Sequence, residues 1–234
     1  MVKGKKITKR QLKEPDEFIT LTEKAIHFTS HHGKSIVAGG IFILVLILVI
    51  VFFRVGERKK EEEAAKAYGT ASEMYERGVA QAQEASAQDT KEVLERFNEI
   101  LTKFPRTSFG KLSLIYQGNI CLRQGAYDEA IKAYSTFLEK AGKERLYRYF
   151  AWEGLGHAYE EKKDYGKALE AFQKILEFGE GYQLAEAHLN MGYCYEKLEK
   201  GKEAAENFKA FLSMSPKSEL ASVIHRKVSL IDKL

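Results

Sequence analysis

The chain has 234 residues, 44% of them hydrophobic and 30% charged, an ordinary globular composition that decides less than its distribution along the chain. Residues 1–34 hold 8 of the 37 Lys/Arg and 4 of the 33 Asp/Glu, so the remainder carries 29 of each and the whole net charge of +4 lies in the tail. A nucleic-acid-binding domain would carry its basic excess on the folded part, as a patch tracking phosphates, and that balance excludes it.

Only Pro15, Pro105 and Pro216 interrupt the chain, which leaves room for long helices because proline breaks a helix interior. The predicted fold is all-α. The basic tail, residues 1–35, includes a short amphipathic helix after Pro15 and Asp16, in which Phe18, Leu21, Ala25 and Phe28 recur at helical spacing. His27, His31 and His32 have a spacing that can ligate a metal from a helix, but no carboxylate or cysteine completes a site. Gly33, Lys34 and Ser35 imitate the end of a phosphate-binding loop, with Phe28 where its first glycine is required.

Residues 36–53 read IVAGGIFILVLILVIVFF, eighteen positions without a charge or strong polar group. As a helix they extend about 27 Å, nearly the hydrocarbon thickness of a bilayer. A core helix of a soluble protein seldom is apolar all round over this length. The apolar run exceeds a secretory signal core and is followed by Arg54 to Lys60 rather than by small residues, so an uncleaved signal-anchor is predicted. Counted over the short tail, basic residues favour a cytoplasmic N-terminus; counted only next to the span, they favour the other side. Long domains translocate largely regardless of charge, and a cytoplasmic tail with an exported C-terminal domain is the reading adopted.

Residues 54–88, rich in Ala, Glu and Lys with Tyr68, Ala71 and Tyr75 on one stripe, are predicted to form a membrane-proximal helix. Beyond it the chain repeats. Leu114, Gly118, Ala130 and Tyr134 align with Trp152, Gly156, Ala168 and Phe172, and again with His188, Gly192, Ala204 and Phe208; the glycines lie 38 and 36 residues apart, as do the alanines. Trp152, Leu155, Gly156, Tyr159, Ala168 and Phe172 reproduce the pattern W-x2-L-G-x2-Y followed by A-x3-F. On these residues the segment resembles the tetratricopeptide repeat family, whose unit is about 34 residues. The first full unit departs from it at Gln117 and Cys121; upstream, Val93, Phe97, Ile100 and Pro105 look like the second helix of a degenerate repeat. The resemblance implies a right-handed solenoid of antiparallel helix pairs over residues 89–216, closed by a capping helix over 217–234. In that cap Leu220, Val223, Ile224, Lys227, Val228 and Ile231 recur as one face of an amphipathic helix whose other face is expected to be polar.

Cys121, at a core tyrosine position, is expected as a small buried hydrophobe, and Cys194 lies too many repeats away to pair with it. No nucleophile, base and oxyanion donor occur at recognisable spacing, so the chain is read as no enzyme, with no cofactor and no metal.

The family's stacked first helices line a concave groove, and its inward positions fall here on Ile115, Asn119, Leu122 and Arg123, on Phe150, Glu153, His157 and Glu160, and on Leu189, Tyr193 and Lys197. The Asn, Lys and Arg set with which some tetratricopeptide domains grip a terminal carboxylate is matched by Asn119 and Arg123 and interrupted by Glu153, His157 and Glu160. Extended or partly unfolded protein segments are the expected ligands.

Short tail, signal-anchor and exported repeats, together with the stretch from Phe28 through Gly33 and Lys34 to Gly39, resemble a bacterial family of ancillary subunits of the Sec export channel. That resemblance implies a single-pass protein of the bacterial inner membrane with a periplasmic repeat domain, a scaffold whose partners are the translocon, periplasmic chaperones and exported client segments. A structural adaptor in a secretion, pilus or division assembly, and a docking receptor facing the cytoplasm, are the alternatives.

Overall fold

In the computed structural model the described residues are 17–80, 87–140 and 145–233, and every element among them is helical. They form α1 (Glu17–Tyr75) with a π-helical turn (Glu76–Ala80) at its end, α2 (Ala87–Lys103), α3 (Ser108–Arg123), α4 (Tyr127–Lys140), α5 (Arg145–Glu161), α6 (Tyr165–Leu176), α7 (Tyr182–Lys197), α8 (Gly201–Met214) and α9 (Ala221–Ile231). The chain divides into two compact units, Met1–Glu57 and Arg58–Leu234.

In the first unit α1 is a continuous helix whose described apolar side chains, Val37 and Ile41 through Phe53, are all exposed. Among the described residues no element covers this surface, and the helix is long and apolar enough to cross a membrane. The expected histidine spacing rests on His27 and His31, whose side chains lie outside the described residues.

The second unit is a helical solenoid. The α1 residues from Arg58 onward bury Ala64, Ala71 and Tyr75 against α2, and α3/α4, α5/α6 and α7/α8 follow as hairpins, with α9 stacked on the last. The helix expected beside the membrane is thus the first helix of the degenerate repeat. Ala64, Ala71 and Tyr75 are buried in one cluster with Val93, Phe97, Ile100, Phe104 and Ile120.

Each hairpin is closed by the same small-against-large contact. A Cβ added to Gly118 would stand 2.5 Å from the Tyr134 ring, one on Gly156 2.4 Å from Phe172, and one on Gly192 2.5 Å from Phe208. Glycine at those positions lets the paired helix drive an aromatic ring against the backbone, and each ring is fully buried. Gly154 supplies the corresponding contact between repeats: its added Cβ would stand 2.4 Å from Tyr134, so that one ring is gripped by α3 and α5 together.

The turns within hairpins also repeat. Gly125, Lys163 and Glu199 all have a left-handed backbone, φ +75°, 60° and 59°. In each, the amide of the next residue donates back across the helix end, Ala126 to Cys121, Asp164 to Tyr159 and Lys200 to Tyr195, all at 2.9 Å. This closure satisfies carbonyls left over at the helix C-terminus and requires the left-handed residue. Helix starts are set by side chains: Thr107 Oγ1 accepts from the Gly110 amide at 3.0 Å, and Asp164 Oδ1 accepts from that of Lys167 at 3.3 Å. The Ser108 amide donates to both carboxylate oxygens of Glu61, at 2.9 and 3.1 Å, which ties α1 to the N-terminus of α3 where a negative charge is favoured.

Departures from the repeat pattern are compensated by polar pairs. Gln117, in the leucine position, is buried and donates to Asn98; His188, in the tryptophan position, meets Asn207 Oδ1 at 2.9 Å. The cysteine expectation is corrected: Cys194 is fully buried, whereas Cys121 is half-buried, because Cys194 faces the preceding hairpin. The capping helix is corrected too. Ala221, Ile224 and Val228 pack on α8, but Val223 and Leu230 are 50% and 57% exposed, so the outer face of α9 is not uniformly polar. Both cysteine and cap depend on the register with which helices stack, which a one-residue shift in repeat length alters.

Candidate partner-binding groove

The first helices of successive hairpins, α1, α3, α5 and α7, share one side of the solenoid. Between the first three of them lies an open cavity of about 190 Å3 lined by Tyr68, Tyr75, Leu112, Ile115, Tyr116, Asn119, Tyr147 and Phe150, with Glu76 on its rim. The rings support one another: Tyr68 meets Tyr116 at 5.6 Å, Tyr75 meets Tyr116 at 5.0 Å, and Phe97 stacks beneath Tyr116 at 4.7 Å. Burial pushes the Tyr68 and Tyr75 hydroxyls up, so both remain neutral donors.

Three residues assigned to the groove from the sequence, Ile115, Asn119 and Phe150, meet in this cavity. Their roles differ. Ile115 is only 5% exposed and forms the floor, Asn119 accepts a hydrogen bond from Tyr134 at 2.7 Å, and Phe150 is 39% exposed at the mouth. Leu122 is half-buried against the adjoining core, and Arg123 bears electrostatically on Tyr75. The cavity is completed by Tyr68, Tyr75, Tyr116 and Tyr147, which sequence reasoning did not assign to it. Tyr147 precedes Phe150 by three residues on the same face of α5, and that spacing was the available signal.

Farther along, α5 and α7 present carboxylates. Glu153 accepts from the Tyr149 hydroxyl, and Glu160 meets His157 Nδ1 at 2.8 Å and accepts from the Cys194 thiol at 3.4 Å. Burial pulls the His157 imidazole down, but its bond to Glu160 and the charges of Glu160, Glu153 and Glu161 outweigh this and hold it above its ordinary value. Glu186 is pushed up by burial and by repulsion from Glu153, with His157 opposing. Leu189 is 3% exposed and belongs to the core, whereas the Tyr193 ring packs edge-on to Phe208 under the Lys227 ammonium, which bonds Glu196 at 2.7 Å. Lys197 is exposed at the end of α7. Glu186, Glu196 and Lys227 are further groove residues that the repeat register alone did not assign. Among the described residues no group of three or more His, Cys, Asp or Glu could hold a metal ion.

The sequence matches the profile of a family described as Tetratricopeptide repeat-like domain over residues 27–233. No curated protein matches it in sequence. Three crystal structures share its fold. MamA is 18% identical with a TM-score of 0.53, over 62% of this chain and 78% of MamA. The apo form of RapI is 13% identical with a TM-score of 0.60, over 73% of this chain and 63% of RapI. A tetratricopeptide repeat protein from Parabacteroides merdae is 22% identical with a TM-score of 0.56, over 72% of this chain and 61% of its own. This chain therefore spans under two thirds of the length of the last two. At these identities the likeness is one of fold.

Proposed function

We propose that this chain, which belongs to the tetratricopeptide repeat-like domain family, is a membrane-anchored scaffold that binds other proteins in the groove formed by α1, α3, α5 and α7. The observation that carries the reading is the aromatic cavity at Phe150: exposed rings held rigidly by a packed core are what a binding surface needs, since partner burial then costs little ordering entropy. Helical repeats supply such a surface without any reacting constellation, and protein recognition rather than catalysis is the function the fold suits. Anchoring rests on the uncharged run of residues 36–53, whose described side chains, 37–53, are exposed on all sides of α1.

In the finer reading the tail is cytoplasmic and the solenoid periplasmic, and the chain stands beside the Sec channel, linking exported clients to chaperones. The short basic tail and the translocatable, charge-balanced C-terminal part support it. A photo-crosslinking residue in place of Phe150, in intact membranes, tests this directly. Crosslinks to the channel, to a chaperone or to nascent exported chains are the expected result; crosslinks to none of these, or an inactive C-terminal alkaline phosphatase fusion, reject the translocon assignment.

A further inference from the structure

The two halves of the groove differ in chemistry, and together they specify a ligand. The cavity lined by Tyr68, Tyr75, Tyr116, Tyr147 and Phe150, about 190 Å3, is of the size that takes an aromatic ring, since an apolar cavity of about 150 Å3 accommodates benzene. On the neighbouring stretch the Tyr149 and Tyr182 rings join α5 to α7 at 6.0 Å, and about one turn further along each helix stand Glu153, which accepts from the Tyr149 hydroxyl, and Glu186, both half-buried. Glu186 has no hydrogen-bond or ion-pair partner among the described residues, and the nearby His157 already gives its Nδ1 to Glu160. Glu76 adds a third carboxylate at the cavity rim. The cations of this surface are His157, Lys197 and Lys227, with Arg123 near Tyr75, and Lys227 is held by Glu196. A groove with a surplus of half-desolvated carboxylates repels acidic segments and attracts a cation that can sit between them.

We propose that the groove binds a segment of a partner protein that places an aromatic or large aliphatic side chain in the cavity and a lysine or arginine between Glu153 and Glu186. This rests on the reading of the groove as the partner-binding site and adds the chemistry of the ligand. Adjacent first helices lie about 10 Å apart, a distance covered by about three residues of extended chain, so the apolar and basic positions are about three residues apart in an extended ligand. The groove does not take an acidic C-terminal tail, because Glu153 and Glu186 stand where a carboxylate would need donors.

The test uses the full chain in nonionic detergent and a fluorescent peptide with one phenylalanine and a lysine about three positions to either side, which makes chain direction immaterial. Fluorescence anisotropy is read for this peptide and for versions with Lys→Gln, Lys→Glu or Phe→Ser. The expected order is the lysine peptide tightest, the glutamine peptide about tenfold weaker and the glutamate peptide weaker still. Glu153→Gln combined with Glu186→Gln is expected to cost the lysine peptide about tenfold and the glutamine peptide nothing, whereas Tyr147→Ser weakens both. Equal binding of lysine and glutamate peptides overturns the proposal without recourse to any protein variant. So does an unchanged affinity of the carboxylate variant, or no measurable binding of the lysine peptide. If Tyr147→Ser still weakens binding in the second case, the groove stands as the site and only its ligand chemistry is wrong. Binding insensitive to Tyr147→Ser and Phe150→Ser as well removes the groove itself. Equal affinity of the phenylalanine and serine peptides rejects the aromatic anchor.

Discussion

Replacing Gly154 by alanine should weaken the solenoid although alanine is the better helix former. In an unencumbered helix interior the exchange gains about 1 kcal/mol. At Gly154 the added Cβ would stand 2.4 Å from Tyr134 Cζ and 2.7 Å from both Cε1 and Oη, more than 1 Å inside ordinary contact. The ring cannot retreat, because the Gly118 backbone abuts it from α3 closely enough to leave no room for a Cβ there, its hydroxyl is held on Asn119 at 2.7 Å, and the residue is fully buried. Overpacking costs about 1 to 3 kcal/mol, and a ring held on several sides falls in the upper part of that range, about 2 to 3, so a net loss of about 1 to 2 kcal/mol is expected once the propensity gain is subtracted. Gly166→Ala is the control: its nearest neighbour would be Asp164 Oδ1 at 3.8 Å, and the change should be neutral or stabilising by up to about 1 kcal/mol. Urea denaturation followed by circular dichroism, on the full chain in detergent, measures both. An unchanged or higher midpoint for Gly154→Ala would refute the claim that Tyr134 locks α3 to α5.

Lys163→Gly and Glu199→Gly should each stabilise by about 0.5 to 1 kcal/mol and Gly125→Ala should destabilise by about 1 kcal/mol, since all three positions demand a left-handed backbone; the same denaturation series checks the opposite signs. Trp152→Ala should cost about 3 kcal/mol, the low end for a buried aromatic, because the side chain bridges two core clusters while remaining partly exposed; a loss below about 1 kcal/mol would mean that it is not packed there. His157 has a raised folded value, so its contribution to stability is full below the unfolded value of about 6.5 and disappears as pH rises through the folded one. His157→Gln should therefore flatten the fall in denaturation midpoint above about pH 6.5 and change nothing of its slope at higher pH, where the imidazole is already neutral. An identical pH profile in the variant would show that His157 is not held by Glu160.

The long apolar helix and the hairpins could be read from the sequence because each is written in local terms. Eighteen successive uncharged residues make a helix long and apolar enough to cross a membrane, a property of composition alone. Gly118 with Tyr134, Gly156 with Phe172 and Gly192 with Phe208 are each sixteen residues apart, and that fixed small-to-large spacing defines a helix pair irrespective of its neighbours. The partial reading of the groove has the same origin. Repeat register placed Ile115, Asn119 and Phe150 on one side of α3 and α5, where they line a common cavity.

What faces what across repeats was decided only by the tertiary structure. Tyr68 and Tyr75, on a stripe that periodicity describes as an ordinary packing face, turn out to wall a cavity together with Tyr147, more than seventy residues farther along the chain. Gln117 is tolerated at an apolar position only because Asn98 arrives beside it, and Glu186 is held above the usual carboxylate range by burial first and by Glu153 second, both of which follow from the packing of α7. Helical periodicity determines which face of its own helix a residue occupies, and with it the hairpins. The burial, charge environment and ligand chemistry of that residue depend on the translation and rotation with which the next helix stacks, and these follow from side-chain packing between segments distant in sequence.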